Sequence, residues 1–92
     1  MSDIAQTAKP AIAHGMRLQW EPAQSAHVLL YPEGMVQLNE SAGAIMSRCD
    51  GARTLGESVA DLERTFGASN LGADVNSFVS YALEKQWLEL RP

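Results

Sequence analysis

Hydrophobic and polar residues alternate along the first patterned part of the chain, as they do in short strands. In residues 17–21 the alternation is strict, which is typical of a strand with one buried face. Pro22 then removes a backbone donor and ends the pairing. The pattern places Leu18 and Trp20 on the buried face of this first strand.

Two further apolar runs, residues 27–31 and 35–38, flank a Pro-Glu-Gly sequence and predict a β-hairpin. Pro32 presets the φ angle that a type I turn needs. Gly34 suits the left-handed position at the end of a three-residue hairpin loop. Together with the first run, these two runs predict three short antiparallel strands.

The period of the apolar positions then changes from two residues to about 3.6, which predicts helices. Asn39 is a good N-cap for a first helix over residues 40–49. Thr54 and Glu57 have the spacing of a capping box, in which each side chain satisfies a free amide of the other residue. They predict a second helix over residues 55–66.

A third apolar stripe predicts a helix over residues 71–86, and residues 87–90 return as a short extended segment. Residues 1–15 are rich in alanine and have few large apolar side chains, so we expect a flexible tail. Residues 16–92 then form one domain of the α+β class. Its order, a three-stranded antiparallel sheet followed by three helices, resembles a winged helix-turn-helix domain.

Composition and charge argue against some classes of function. The chain has 92 residues, of which 46% are hydrophobic, so it holds one small folded domain rather than a large multi-domain enzyme. Seven basic and eleven acidic residues give a net charge of −4. The two nearest basic residues are Arg48 and Arg53, and the third helix carries Lys85 as its only one. This spacing argues against binding to nucleic acid, which needs clustered lysine and arginine.

The sequence also gives little sign of membrane binding or catalysis. No apolar run approaches the roughly 20 residues that a membrane helix needs. The single cysteine, Cys49, cannot form an internal disulfide, so we expect a cytoplasmic protein. Cys49 lies at an apolar helix position, where free cysteine packs as a small hydrophobe. His14, His27 and Cys49 lack metal-ligand spacing, and Ser25 with His27 lacks an oxyanion loop. We therefore expect no enzyme activity, no cofactor and no metal site.

A small three-stranded sheet leaves an exposed edge, and this edge is the feature of the predicted fold that best suits binding. An extended peptide adds to such an edge as another strand. Its backbone hydrogen bonds supply affinity, and its alternate side chains enter pockets against a neighbouring helix. This mode of binding needs no ionisable chemistry in the protein.

Three ordered sequence blocks resemble the PqqD family of pyrroloquinoline quinone (PQQ) biosynthesis proteins. They are LLYPEG at residues 29–34, LNESA at 38–42 and CDGART at 49–54, and the resemblance covers residues 17–88. It implies a RiPP recognition element, which is a small winged-helix-like peptide chaperone without catalytic activity of its own. Such proteins bind the precursor peptide PqqA and present it to the radical-SAM enzyme PqqE.

The resemblance also implies where the peptide binds. In related recognition domains the leader peptide pairs with the third strand and rests against the third helix. The corresponding strand residues here are Met35, Val36, Gln37 and Leu38. The corresponding helix residues are Asp74, Val75, Phe78, Val79, Tyr81, Ala82 and Lys85.

Other functions stay open at this point. A winged-helix nucleic-acid-binding protein has the same topology, and a direct quinone-binding protein or an enzyme needs a convergent polar pocket that the sequence does not indicate. The chain departs from the family at Gly56 and Ser58, where better helix formers are usual, and at Gln86, where glycine is common. The exposed sheet edge is compatible with a monomer and with a homodimer.

Overall fold

A computed structural model describes residues 4–92, and the first three residues of the predicted tail lie outside this part of the chain. Its elements are β1 (Lys9–Ile12), β2 (Arg17–Glu21), β3 (Ala26–Tyr31), β4 (Gly34–Gln37), α1 (Glu40–Met46), α2 (Leu55–Phe66), α3 (Gly72–Glu84) and β5 (Leu88–Arg91). The α+β class is confirmed, as is the predicted order of three antiparallel strands followed by three helices. Strands β1 and β5 lie outside that predicted set.

Strands β2, β3 and β4 form an antiparallel sheet in that order. Tyr31 pairs with Gly34, so the hairpin loop contains only Pro32 and Glu33. The prediction of a three-residue loop with a left-handed glycine is therefore wrong. Gly34 has a φ angle of 157° and belongs to β4.

Trp20 does not occupy the buried position that the alternation predicts. Leu18 packs partly buried against the core, whereas Trp20 is 52% exposed. Trp20 lies opposite His27, and the two rings meet edge to face with centroids 5.0 Å apart. Helix α1 covers His27 so closely that a Cβ atom at Gly43 would lie 2.8 Å from Nδ1 of His27. Because the helix covers the central strand, the ring on the edge strand stays open to solvent.

The predicted caps determine where α1 and α2 begin. The Asn39 side chain accepts a hydrogen bond from the Ala42 amide at 2.8 Å. The Thr54 hydroxyl accepts from the Glu57 amide at 3.1 Å, and the Thr54 amide donates to the Glu57 carboxylate at 2.8 Å. The predicted bounds of α2 are confirmed, and Gly67 closes this helix in a left-handed conformation.

The other two helices are shorter than predicted. Helix α1 ends at Met46, because the amides of Arg48 and Cys49 bond to carbonyls three residues back in a tighter turn. Helix α3 ends before Gln86, which has a φ angle of 64°. Gln86 thus takes the left-handed position that a glycine usually fills.

The flexible tail expected over residues 1–15 is wrong for Lys9–Ile12. These residues form β1, which pairs antiparallel with β5, and Pro10 and Ala11 are buried. The extended segment predicted after the third helix is confirmed as β5. The carbonyl of Pro10 also accepts a hydrogen bond from the Gly51 amide at 2.9 Å, so two separate parts of the chain hold this strand.

The residues before β1 satisfy free amides at the start of α2. The Leu55 amide donates to the Ala8 carbonyl at 2.8 Å, and the Gly56 amide donates to the Gln6 carbonyl at 3.0 Å. A Cβ atom at Gly56 would lie 3.3 Å from Oε1 of Gln6. Gly56 therefore lies against Gln6, whose flexible side chain would have to shift slightly for a larger residue.

The hydrophobic core lies between the three-stranded sheet and the helices. Its buried members are Leu29, Leu38, Ala42, Ile45, Met46, Cys49, Leu55, Leu62, Val75, Val79, Ala82 and Leu88. Leu38 and the inner residues of α3 belong to this one cluster, so the end of β4 and α3 are joined through the core.

Candidate functional site

One long edge of β4 faces away from the rest of its sheet. The Leu38 amide donates to the His27 carbonyl at 2.9 Å, and the register places Val36 opposite Leu29. In an antiparallel pair, alternate residues direct both backbone groups toward the partner strand. Val36 and Leu38 therefore face β3, and Met35 and Gln37 direct their N–H and C=O groups toward the open edge.

The side chains of β4 follow the same alternation. Met35 is 57% exposed and Gln37 is exposed, whereas Val36 is partly buried and Leu38 is buried in the core. The four predicted strand residues thus divide into two with outward backbone groups and two that hold the strand in place. A peptide at this edge would hydrogen-bond to the first pair.

The predicted residues of α3 divide in a similar way. Val75, Val79 and Ala82 are 3%, 0% and 0% exposed, so their side chains belong to the core. The accessible members are Asp74, Phe78, Tyr81 and Lys85. Their spacing puts them on one face of the helix, beside the core-facing stripe.

Aromatic rings cover the C-terminal half of this accessible face. The Tyr81 ring lies 6.5 Å from that of Phe78 and meets Trp87 edge to face at 5.6 Å. The Lys85 ammonium lies 5.8 Å from the centre of the Tyr81 ring. These rings offer an apolar surface with a polar hydroxyl, and Lys85, the one basic residue of the predicted site, is engaged with that surface.

An open cleft of about 720 Å³ lies at the N-terminal end of the same face. It is lined by Asn39, Glu40, Ser41, Ala42, Ala44, Ile45, Leu62, Phe66, Ala68, Leu71, Asp74, Val75 and Phe78. The cleft brings three of the predicted helix residues together with the first turn of α1, which follows β4 directly. Met35, Gln37, Tyr81 and Lys85 are not part of its lining.

Sequence reasoning did not identify the parts of the cleft that belong to α1 and α2. Phe66 lies at the apolar position that ends α2, yet it is 50% exposed because the helix stops there and its ring projects over the cleft. The apolar residue at the last position of the helix is the sequence feature that could have indicated this exposed ring. Glu40 gave no signal, since an acid in a first turn is explained by the helix dipole.

Arginines converge on one carboxylate away from the cleft. Asp61 lies 2.8 Å from Nε of Arg48, 2.9 Å from Nη2 of Arg64 and 3.9 Å from Nη1 of Arg53. The hydrogen bond from Arg48 lowers the pKa of Asp61, and the bond from Arg64 contributes in the same direction. These three basic residues are therefore engaged with an acid rather than arranged to bind phosphate.

Two other carboxylates stabilise local turns. The backbone amides of Arg53 and Ala52 donate to Asp50 and lower the pKa of its side chain. The Thr54 amide and hydroxyl lower the pKa of Glu57 in the capping box. Each carboxylate has a structural role at the start of α2.

Cys49 is buried in the core. Burial raises the pKa of the Cys49 thiol to about 12, and its sulfur lies 3.3 Å from the carbonyl of Ile45. The thiol is therefore protonated at neutral pH and behaves as the buried hydrophobe that its position predicts. Within residues 4–92, histidine, cysteine and carboxylate side chains form no group of three that suits a metal ion. No helix in this part of the chain has the length and apolar character that crossing a membrane requires.

Comparison with protein families gives one match over most of the domain. Residues 26–88 match the family Coenzyme PQQ synthesis protein D (PqqD). This match includes β3, β4, all three helices and the start of β5.

Similar proteins cover the chain from end to end. The "PqqA binding protein" of Stutzerimonas stutzeri is 50% identical over 92 residues, which is 99% of this chain and all of that protein. The protein of the same name from Azotobacter vinelandii is 47% identical over 91 residues, covering 98% and 99% of the two chains.

A solved structure has the same fold. The solution NMR structure of the PqqD truncation of Methylobacterium extorquens PqqCD matches with a TM-score of 0.72 and 29% identity, covering 87% of each chain. That protein is described as a functional and stand-alone RiPP recognition element.

Proposed function

Because this chain belongs to the PqqD family, we propose that it is a PqqA-binding protein of PQQ biosynthesis that holds the peptide at the open edge of β4. The names of its relatives from Stutzerimonas stutzeri and Azotobacter vinelandii support PqqA as the ligand. The similar Methylobacterium extorquens structure supports a recognition element as the type of domain. Under this proposal the winged helix-turn-helix-like scaffold uses its sheet edge for a peptide rather than α3 for DNA.

The observation that carries the proposal is the free edge at Met35 and Gln37. These two residues present four backbone groups to a fourth strand, and each hydrogen bond contributes about 1 kcal/mol net. Two or three apolar side chains of the peptide that become buried add about 1.5–3 kcal/mol each. Ordering the peptide offsets part of this gain, which leaves a dissociation constant near the micromolar range.

Holding the peptide is the whole chemical task under this proposal. A strand added at β4 is kept extended, and the surface of the peptide that faces away from the domain stays accessible to another protein. We extend the proposal to PqqE, the radical-SAM enzyme to which this chain presents PqqA. The chain itself acts as a carrier without catalysis or a cofactor.

A proline at Gln37 tests the proposed edge. Gln37→Pro removes an outward amide and leaves the pairing of β4 with β3 intact, since edge strands accept proline where the N–H faces solvent. We expect PqqA to bind about 5- to 100-fold more weakly in calorimetry, because the facing peptide carbonyl loses its partner. Gln37→Ala is the matched control: it removes the same side chain and keeps the amide.

The difference between the two variants isolates the backbone contribution. Amide spectra of both variants should retain the dispersion of the parent, which shows that any loss of binding is local. Equal affinities of Gln37→Pro and Gln37→Ala for PqqA would refute strand addition at β4. In a PqqE turnover assay, Gln37→Pro should also lose any enhancement that the parent chain gives, and an unchanged enhancement would refute presentation of the peptide.

A further inference from the structure

The cleft beside α1 has an apolar floor that no described segment of the chain fills. Ile45, Leu62 and Val75 are buried beneath it, and the rings of Phe66 and Phe78 line it while remaining partly exposed. Its volume of about 720 Å³ exceeds that of a single side chain and is in the range of sites that hold apolar groups. The floor and rings together suit a large apolar side chain.

The ionisable residues that line the cleft are acidic. They are Glu40 and Asp74, in the first turns of α1 and α3, and both are exposed. Within the described part of the chain, the ion pairs involve neither of these carboxylates. A cation near this apolar floor would be attracted by both charges, and an anion would be repelled.

The cleft begins just after β4 along the chain. Gln37 is the last residue of that strand, and Asn39 and Glu40, which line the cleft, follow it by two and three positions. The open edge and the cleft therefore follow one another along the chain.

We infer that the cleft is an anchor pocket for a large apolar side chain of the bound peptide whose neighbour in sequence is a lysine or an arginine. The apolar side chain enters the cleft, and the neighbouring cation lies at the rim formed by Glu40 and Asp74. The inference rests on the proposed function, since the same peptide lies along β4. It adds a sequence requirement to that function, because an acidic neighbour is repelled by the same rim.

Small probes test the pocket without using the strand edge. The ¹⁵N-labelled chain is titrated with acetyl-Phe-Lys-amide, acetyl-Phe-Glu-amide and acetyl-Ala-Lys-amide while amide shifts are recorded. We expect acetyl-Phe-Lys-amide to bind about three- to tenfold more tightly than acetyl-Phe-Glu-amide. Acetyl-Ala-Lys-amide should bind most weakly because it lacks the ring. The shifts should concentrate in residues 39–45 and 71–78.

Two double variants separate the effect of the charges at the cleft from the effect of the net charge of the chain. Glu40→Gln with Asp74→Asn should abolish the preference for lysine over glutamate. Glu33→Gln with Glu84→Gln makes the same change in net charge at exposed positions outside the cleft and should retain the preference. Phe66→Ala should weaken both phenylalanine probes by the same factor.

Each result either supports the anchor pocket or contradicts it. Equal binding of the lysine and glutamate probes, a preference that survives in the first double variant, or no saturable shifts with any probe would overturn the inference. Gln37→Pro distinguishes it from the proposed function, because that variant should bind PqqA more weakly and keep the binding of acetyl-Phe-Lys-amide. If Gln37→Pro binds PqqA normally while the probes behave as expected, the strand-edge proposal fails and the pocket stands.

Discussion

Enlarging Ala11 tests whether the N-terminal segment is a structural part of the domain. Ala11 is 4% exposed, and a Cβ atom at Gly51 would lie only 3.2 Å from its methyl group. The backbone cannot easily move away, because Gly51 donates to Pro10 at 2.9 Å and Ala11 pairs with Glu89 in β5. Ala11→Leu adds three carbon atoms at a buried position that lies close to Gly51.

Overpacking of this kind costs about 1–3 kcal/mol of the free energy of unfolding. In a domain of this size, each kcal/mol lowers the melting temperature by about 4–8 °C. Urea unfolding followed by circular dichroism measures the change directly. Ala11→Val, with two added carbons, should fall between the parent and Ala11→Leu, which keeps the test informative if the leucine variant does not fold.

Ala5→Leu provides the matched control, since Ala5 is exposed and the same substitution there should change the unfolding free energy by less than about 0.5 kcal/mol. A loss at Ala11 no larger than the loss at Ala5 would refute the reasoning. It would mean that β1 is not held against the domain in solution.

Three further predictions concern stability and reactivity. Thr54→Ala removes the capping hydroxyl of α2 and should lower the free energy of unfolding by about 1 kcal/mol in urea, with no loss contradicting the capping box. The pKa values of Asp50, Glu57 and Asp61 are lowered in the folded chain, so these carboxylates stabilise it above their unfolded pKa values of about 4. That stability should disappear as the pH falls through the folded values, and urea titrations should show a shallower pH dependence for Asp61→Asn. An identical pH dependence of parent and variant would contradict the role of Asp61. Cys49, with a pKa of about 12, should resist alkylation by iodoacetamide at pH 8 until urea unfolds the chain, and rapid labelling of the folded chain would refute its burial.

The ends of a helix were predicted correctly where the sequence contains recognisable capping residues. Thr54, Glu57 and Gly67 define both ends of α2 through contacts within a few residues, and the observed bounds agree with the prediction. The signal was weaker at Gln86, because a left-handed residue other than glycine at a helix end cannot be recognised from side-chain type alone.

Strand β1 was missed for a physical reason. The sequence Lys-Pro-Ala-Ile does not alternate, and Pro10 and Ala11 are buried where β1 pairs with β5 and lies beside Gly51. These partners are far away in sequence, so no local pattern reports them. Burial of small residues by distant segments is a property of the folded chain.

The candidate site, too, was predicted only in part from the sequence. The sequence predicted a small sheet with an exposed edge, whereas the assignment of the third strand and the third helix to the peptide site came from the resemblance to a known family. Assigning Val75, Val79 and Ala82 to the peptide site included residues of the core stripe, which are buried in the structure. Phe66 and Glu40 could not be added from sequence, because only the packing of α1, α2 and α3 brings them to one cleft.

The pairing of β1 with β5 also determines when the domain can form during synthesis. Lys9–Ile12 are synthesised before their partner strand, Leu88–Arg91, which is made almost eighty residues later. Translation at roughly 5–20 residues per second leaves β1 without that partner for several seconds. The hairpin and α2 have local partners and can form in this interval, whereas the second sheet closes only after Arg91 has been released. We therefore expect this domain to complete its folding after translation of β5, with the N-terminal strand as a late addition rather than a starting point.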